Sequence, residues 1–527
     1  MKIYFYSIIV FLASSFFVYS TQEINNAALY KNISTEINSI INKRKLGNTR
    51  YGIVVYSTKM NKYIYSHNPQ MLLVPASNTK LVTTFTNYNL LKDDKNIKTK
   101  IAIDGEIING VLNGNLYIIG GGDALLSVND LEIIADEIKR YGINKINGDI
   151  IGDESFFDNV YSRFHYSGDK DEVEPTAPIS ALSLEKNVVN VIVTSGSAAG
   201  KSVNVSFKPA SSSFKISNSA IVSGGTTQQN KTKKIGMNNI SEENGYLQIA
   251  GDIMEDNIYF TAAKGKGKAK TTTTINPITV SSGIDSLGQQ VFYIRGTLTP
   301  NRTYTYRVFI KNPALAVASA LKDRLISGGV SVTGKTIKKS NSDDNRNTKI
   351  IYVFNRNVNE IINVVNKRSD NYLAENIFKL NGAIHNSDKN TAKSSSAASI
   401  EMLNNNGINT EGFIFNDGSG LSRRNLITAD GLMNILIKAS NSSFAEDFIS
   451  SLSVASYDGT LKKRMQGSFA EGNLRGKTGT LRNVSSLSGV MNNRNGDTIF
   501  FAFIFNGGSV GIYKQTENEI CMLLSEK

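Results

Sequence analysis

One cysteine and three histidines in 527 residues leave little material for metal or disulfide chemistry. Cys521 alone excludes an internal disulfide, and with His67, His165 and His385 it falls short of any zinc set with ligand spacing. No histidine stands in a glycine-flanked or otherwise catalytic setting, which argues against a Ser-His-Asp triad. The run Gly120-Gly121-Gly122-Asp123 lacks the strand-to-helix spacing and the Lys-Thr/Ser of a phosphate loop. No basic run is interleaved with aromatics, as a groove for single-stranded nucleic acid requires. Neither a cofactor nor a nucleic-acid partner is therefore expected.

What is present begins with length. A chain of 527 residues is too long for one compact core and implies two or more domains. With 40% apolar and 20% charged residues it is ordinary for a globular protein, except over residues 1–20. There Lys2 precedes an apolar stretch from Ile3 to Ala13, and Val18-Tyr19-Ser20 places modest residues before Thr21, the pattern of a secretory signal cleaved after Ser20. The body is expected to be exported to the periplasm or cell envelope. A formal net charge of +13 would draw an exported protein weakly to anionic wall polymers or membrane surfaces, although lysine is abundant throughout. The Lys264–Lys270 stretch (KGKGKAK) reads as a mobile loop.

Along the chain, helical apolar spacing from Glu23 to Leu46 precedes two short strands, Tyr51–Ser57 and Lys62–His67. From about Lys95 the character changes to short strands punctuated by Asn109-Gly110 and Asn113-Gly114, both read as hairpin turns. Short β segments continue to about residue 310. After a helix near Pro313 to Ile326 and the polar run Ser340 to Lys349, helices flank residues 367–371, three strands occupy 472–507, and a helix closes the chain. The expected fold is α/β (α+β): a central antiparallel sheet flanked by helices, interrupted by a large, mostly β insertion. Residues 21–94 and 346–527 would form the discontinuous main domain and residues 95–345 the insertion, in two subdomains.

The chain is organised around Pro75-Ala76-Ser77-Asn78-Thr79-Lys80. Pro75 disfavours helix before it, and Leu81, Val82, Phe85, Tyr88 and Leu91 recur at helical spacing after it. Positions three apart share a helix face, so the Lys80 amine can reach the Ser77 hydroxyl. A serine needs a base to become a nucleophile, and a lysine serves only where burial or another cation favours its neutral form. Ser-x-x-Lys alone carries little weight, since Ser167/Lys170, Ser183/Lys186, Ser212/Lys215 and Ser319/Lys322 repeat it. Two later motifs decide the matter: Ser369-Asp370-Asn371 between two helices, and Lys477-Thr478-Gly479 on a strand. In that order, the three are the set shared by penicillin-binding proteins and class A β-lactamases.

With Tyr372-Leu373-Ala374-Glu375, Asp417-Gly418-Ser419-Gly420-Leu421-Ser422-Arg423 and Thr480-Leu481 alongside, the sequence resembles the low-molecular-mass class C penicillin-binding proteins, the D-alanyl-D-alanine carboxypeptidase/endopeptidase family (peptidase family S13). The likeness runs from about residue 24 to the C-terminus and includes the insertion, which β-lactamases lack.

The resemblance implies a penicillin-binding, transpeptidase-like catalytic domain and a serine DD-peptidase acting on peptidoglycan stem peptides through an acyl-enzyme on Ser77, with β-lactams as covalent inhibitors. Lys80 would take the Ser77 proton, Lys477 would hold Lys80 neutral and attract the substrate carboxylate, Ser369 would protonate the leaving amine, and Asn371 would align Lys80 and the substrate amide. Ser77 and Thr480 would give the oxyanion hole, and Thr478, Gly479 and Thr480 would line the substrate. Asp153, Phe157 and Arg423 match positions that contact the third stem-peptide residue, with Arg482 a departure two residues past Thr480. The alternatives are a β-lactamase-like hydrolase and a non-catalytic penicillin-sensing or wall-binding module.

Overall fold

The computed structural model describes residues 32–92, 94–170, 174–224, 240–243, 246–249, 278–339, 347–386 and 391–527. The signal-like segment and Lys264–Lys270 lie outside the described residues. The chain forms two compact units: Met1–Asp94, Asn359–His385 and Ala392–Lys527 make the first, and Lys95–Val358 with Asn386–Thr391 the second.

In the first unit a six-stranded antiparallel sheet runs in the order Lys62–His67, Arg50–Ser57, Thr498–Asn506, Val484–Asn492, Arg475–Leu481, Ser453–Val454. Thr498–Asn506 (TIFFAFIFN) is apolar on both faces and buried from Ile499 to Phe505, which makes it the natural centre of the sheet. Phe501, Phe503 and Phe505 point to one face, where they share a core with Ile33, Ile37 and Ile41 of a helix over 32–44 and with Tyr513, Ile520, Cys521 and Leu524 of the closing helix Val510–Glu526. The helix Ala429–Ser440 packs on the same central strand and also meets the helix Thr79–Leu91. Thr79–Leu91 is buried continuously from Thr79 to Tyr88 and has no polar stripe, as expected of a helix enclosed by others. It packs beside Asn371–His385.

Besides a small cluster of Ala102, Tyr117 and Ile151, the second unit holds two large apolar cores. One joins the helices Val128–Arg140 and Pro313–Ser327 through Leu131, Ile134, Val317 and Leu321 to the strands Asn96–Ile103 and Leu116–Ile119. The other is built from Val189, Val191, Phe292, Ile294 and Val308 on strands. The unit ends later than the sequence suggests. Lys349–Asn357 pairs antiparallel along Asn96–Ile103, with Asn96 opposite Asn357, and the Val358 N–H donates to Lys95 O at 2.8 Å. The boundary therefore falls at Val358, because the polar run before Lys349 is followed by one more strand of the insertion. Asn109-Gly110 does turn a hairpin, with φ of +50° and +79° at its two residues. Asn113-Gly114 does not: Val111–Asn113 and Leu116–Ile119 belong to different sheets.

Candidate active site

Ser77 occupies a 3-10 turn, Ala76–Asn78, that leads directly into Thr79–Leu91. Lys80 lies on the first turn of that helix, fully buried, and its Nζ donates to Ser77 Oγ at 3.0 Å, Asn371 Oδ1 at 2.8 Å and the main-chain oxygen of Ser419 at 2.6 Å. Helical spacing supplies the first contact, and the other two bring distant parts of the chain to the same amine. The competing Ser-x-x-Lys pair Ser319/Lys322 also lies on a helix, but Ser319 Oγ donates to Thr336 Oγ1 at 2.9 Å and Lys322 Nζ to Gly334 O at 2.5 Å.

Ser369 and Asn371 sit where Val358–Arg368 gives way to Asn371–His385. Between them, Asp370 Oδ1 accepts the N–H of Leu373 at 2.9 Å, the contact of a helix N-cap. Ser369 is held at φ +57°, uncommon for a residue with a side chain. Its Oγ accepts from Lys477 Nζ at 2.9 Å, and that amine also donates to Thr478 O at 2.7 Å. Because Ser369 and Asn371 are two residues apart, the two amines meet across one short loop.

Lys477 is completely buried, and its amine is pushed well below the ordinary lysine range, first by burial and then by the charge of Lys80. The two ammonium groups are thus a strained pair. Burial and a second cation, the two causes the sequence argument invoked for Lys80, act on Lys477 as well.

The strand carrying Lys477 runs against the serine turn. A Cβ on Gly479 would lie 2.3 Å from Ser486 Oγ, 2.6 Å from Pro75 O and 2.9 Å from Ser77 N, so only glycine allows this approach. Ser486 Oγ donates to Pro75 O at 2.6 Å and accepts from Asn78 Nδ2, which fixes the turn to the sheet. Thr478 is nearly buried, and Thr480 is exposed.

Sequence reasoning missed what supports Lys80 from behind. The Ser419 carbonyl is presented by a loop whose amides are gripped by two buried carboxylates. Glu375 accepts the N–H of Ser419 at 2.8 Å and of Gly418 at 3.2 Å, and Asp417 accepts those of Gly420 at 2.9 Å and Ser422 at 2.7 Å. A main-chain oxygen leaves no mark in a sequence, although both acids stand in the motifs quoted above.

The residues assigned to the third stem position come from both units. Arg423 is exposed, and its Nη2 donates to the carbonyl of Arg482 at 2.8 Å. Asp153 and Phe157 belong to the second unit and are buried there; Asp153 Oδ2 pairs with Lys339 Nζ at 2.9 Å, and Oδ1 accepts the Ser155 N–H at 2.9 Å.

The chain is 27% identical over 510 residues to a D-alanyl-D-alanine carboxypeptidase of an Actinomadura strain, covering 93% of this chain and 84% of that protein. It is 21% identical over 463 residues to the D-alanyl-D-alanine carboxypeptidase DacB of Haemophilus influenzae, covering 87% and 86%. The crystal structure of penicillin binding protein 4 from Haemophilus influenzae superposes with a TM-score of 0.67 at 19% identity, covering 93% of this chain and 99% of that one, so the fold is that of a penicillin-binding protein. The profile of the D-Ala-D-Ala carboxypeptidase 3 (S13) family matches residues 33–274 and 261–527, and the chain belongs to that family.

Proposed function

We propose that Ser77 is the nucleophile of this serine D-Ala-D-Ala carboxypeptidase and that peptidoglycan stem peptides are its substrates. The observation that carries the assignment is the double link of the two amines: Lys80 to Ser77 and Asn371, and Lys477 to Ser369. Ser77 Oγ attacks the carbonyl carbon between the two D-alanines as its proton passes to Lys80, which is the neutral amine of the pair once the substrate carboxylate holds a proton on Lys477. The oxyanion sits against the N–H groups of Ser77 and Thr480, a pair of donors whose individual loss typically costs about 10²–10³-fold in rate. Collapse breaks the C–N bond, and Ser369, fed by Lys477, delivers a proton to the departing D-alanine nitrogen. Water then attacks the acyl-enzyme and regenerates Ser77. Thr478 and Thr480 hydroxyls and the Lys477 ammonium receive the terminal carboxylate.

β-Lactams are expected to acylate the same serine and leave slowly. Hydrolysis of D-Ala cross-links would use the same groups. Asp153, Phe157 and Arg423 are proposed to read the third stem residue; at Asp153 an incoming amine competes with Lys339. Export follows from the signal-like residues 1–20, with cleavage after Ser20, and no helix among the described residues is long and apolar enough to cross a membrane. Weak attraction to anionic wall or membrane surfaces follows from the net charge of +13.

The test is release of D-alanine from defined muropeptides, monomeric and cross-linked, together with labelling by fluorescent penicillin. Ser77→Ala should abolish both. Release at the wild-type rate by that variant would overturn the assignment, and rapid loss of label from the wild type would favour a β-lactam hydrolase.

A further inference from the structure

The strand Arg475–Leu481 has a neighbour on its outer side only at Arg475 and Gly476, where it pairs with Ser453–Val454. Beyond this contact the chain turns through Asp458 into the 3-10 turn Gly459–Leu461 and returns Thr460 to the strand, where Thr478 Oγ1 donates to Thr460 Oγ1 at 2.7 Å.

That turn is anchored from several sides. Asp458 Oδ1 accepts the Val454 N–H at 2.7 Å, and Oδ2 pairs at 2.6 Å with Nζ of Lys367, two residues before Ser369. Lys367 Nζ also donates to Leu452 O at 3.0 Å. Ser453 Oγ donates to Lys367 O at 3.1 Å and accepts the Thr460 N–H at 3.2 Å. A Cβ on Gly459, whose φ is +53°, would lie 2.3 Å from Ser453 Oγ and 2.4 Å from Lys367 O, so the turn closes onto the Ser369 loop as only glycine permits. The segment that carries Thr460 and the loop that carries Ser369 therefore form one clamp beside Thr478.

We propose that Thr460 is a positioning residue for the terminal carboxylate of the substrate, acting through Thr478. The inference rests on the roles of Ser77, Lys477 and Thr478 given above. A hydroxyl has one proton to donate. In the cleft as it stands, Thr478 directs that proton to Thr460. A carboxylate beside Lys477 is the stronger acceptor, so Thr478 turns its O–H toward the ligand and Thr460 reverses, donating its own proton to Thr478 Oγ1. The exchange rotates two protons, moves no heavy atom and breaks no covalent bond. The resulting chain, Thr460 to Thr478 to carboxylate, is polarised in one direction, which strengthens its last bond. Thr460 thereby favours ligands that end in a carboxylate over those that end in a neutral group.

Thr460→Val keeps the shape and removes the hydroxyl, and Thr460→Ser keeps the hydroxyl. KM and kcat would be measured on a stem peptide ending in D-Ala-D-Ala and on the same peptide ending in D-alaninamide. Thr460→Val should raise KM for the acid about fivefold, the worth of one neutral hydrogen bond, with kcat little changed. It should leave the amide unaffected, and Thr460→Ser should restore the wild-type KM. Equal KM values for Thr460→Val and wild type on the acid, or equal losses on acid and amide, would overturn the proposal. Should Thr460→Val not fold, Thr460→Ala carries the same comparison, and failure of both to fold would make Thr460 structural and end the proposal. A wild-type protein that penicillin does not acylate overturns the catalytic assignment and this inference with it. Normal acylation and turnover with an indifferent Thr460→Val overturns this inference alone.

Discussion

Replacing Gly479 with alanine tests whether the edge strand must touch the turn of the nucleophile. The new Cβ would stand 2.6 Å from Pro75 O and 2.9 Å from Ser77 N, against 3.4 Å for the onset of ordinary contact. Both obstacles are main chain, and the third, Ser486 Oγ, is tied to Pro75 O and Asn78. Relief requires the strand and the turn to separate by about 0.5–0.8 Å, close to the ~1 Å misplacement that costs about 10²-fold in rate. The same overlap should cost about 1–3 kcal/mol of stability as overpacking. Stopped-flow acylation with fluorescent penicillin measures the first effect and denaturant unfolding the second. We expect the second-order acylation constant to fall about 10²-fold while a folded protein persists. Acylation within about twofold of wild type would show that the strand can retreat without moving the reacting groups, and would refute the reasoning.

Lys477→Ala should abolish turnover with the fold intact, as judged by circular dichroism alongside D-alanine release. In the wild type, acylation should rise with pH on a limb centred below the 10.5 of a free lysine, because the buried amine pair must lose a proton before Ser77 can be activated. The folded-state pKa of Lys477 lies below its unfolded value, so the unfolded chain binds more protons and stability should climb with pH up to about 10.5. Lys477→Ala should flatten that climb in denaturant titrations across the same window. Glu375→Gln replaces an acceptor with a donor facing the Ser419 and Gly418 amides, so it should lose about 1–3 kcal/mol of stability and slow acylation by releasing the carbonyl that holds Lys80. A variant with unchanged melting and labelling would remove Glu375 from that role.

The side chains proposed to be catalytic were legible in the sequence because each sits in a local motif with its own geometric logic: three residues along one helix for Ser77 and Lys80, a helix start for Asn371, a strand for Lys477. That the stretch around Ile499–Phe505 is a strand was legible too, whereas its central place shows only in its pairing with Arg50–Ser57 and Val484–Asn492. What stayed hidden was non-local. Which strand borders Asn96–Ile103 is settled by pairing across the whole insertion, and the second apparent turn failed because Leu116–Ile119 finds its partners elsewhere. The support of Lys80 by a main-chain oxygen and of Thr478 by Thr460 depends on loops meeting in space, which residue spacing does not encode.

The insertion leaves and rejoins its host at Lys95 and Val358, a single main-chain hydrogen bond apart. To the sheet of the first unit this long detour, once folded, is a short bridge, since closure entropy counts the free chain between anchor points and little is left when the two ends are pinned together. The neighbour that completes Arg50–Ser57, however, is Thr498–Asn506, from the far side of the insertion. Without that strand in place Arg50–Ser57 keeps one open edge. The sheet against which the Ser77 turn packs is therefore complete only once Thr498–Asn506 has docked between Arg50–Ser57 and Val484–Asn492.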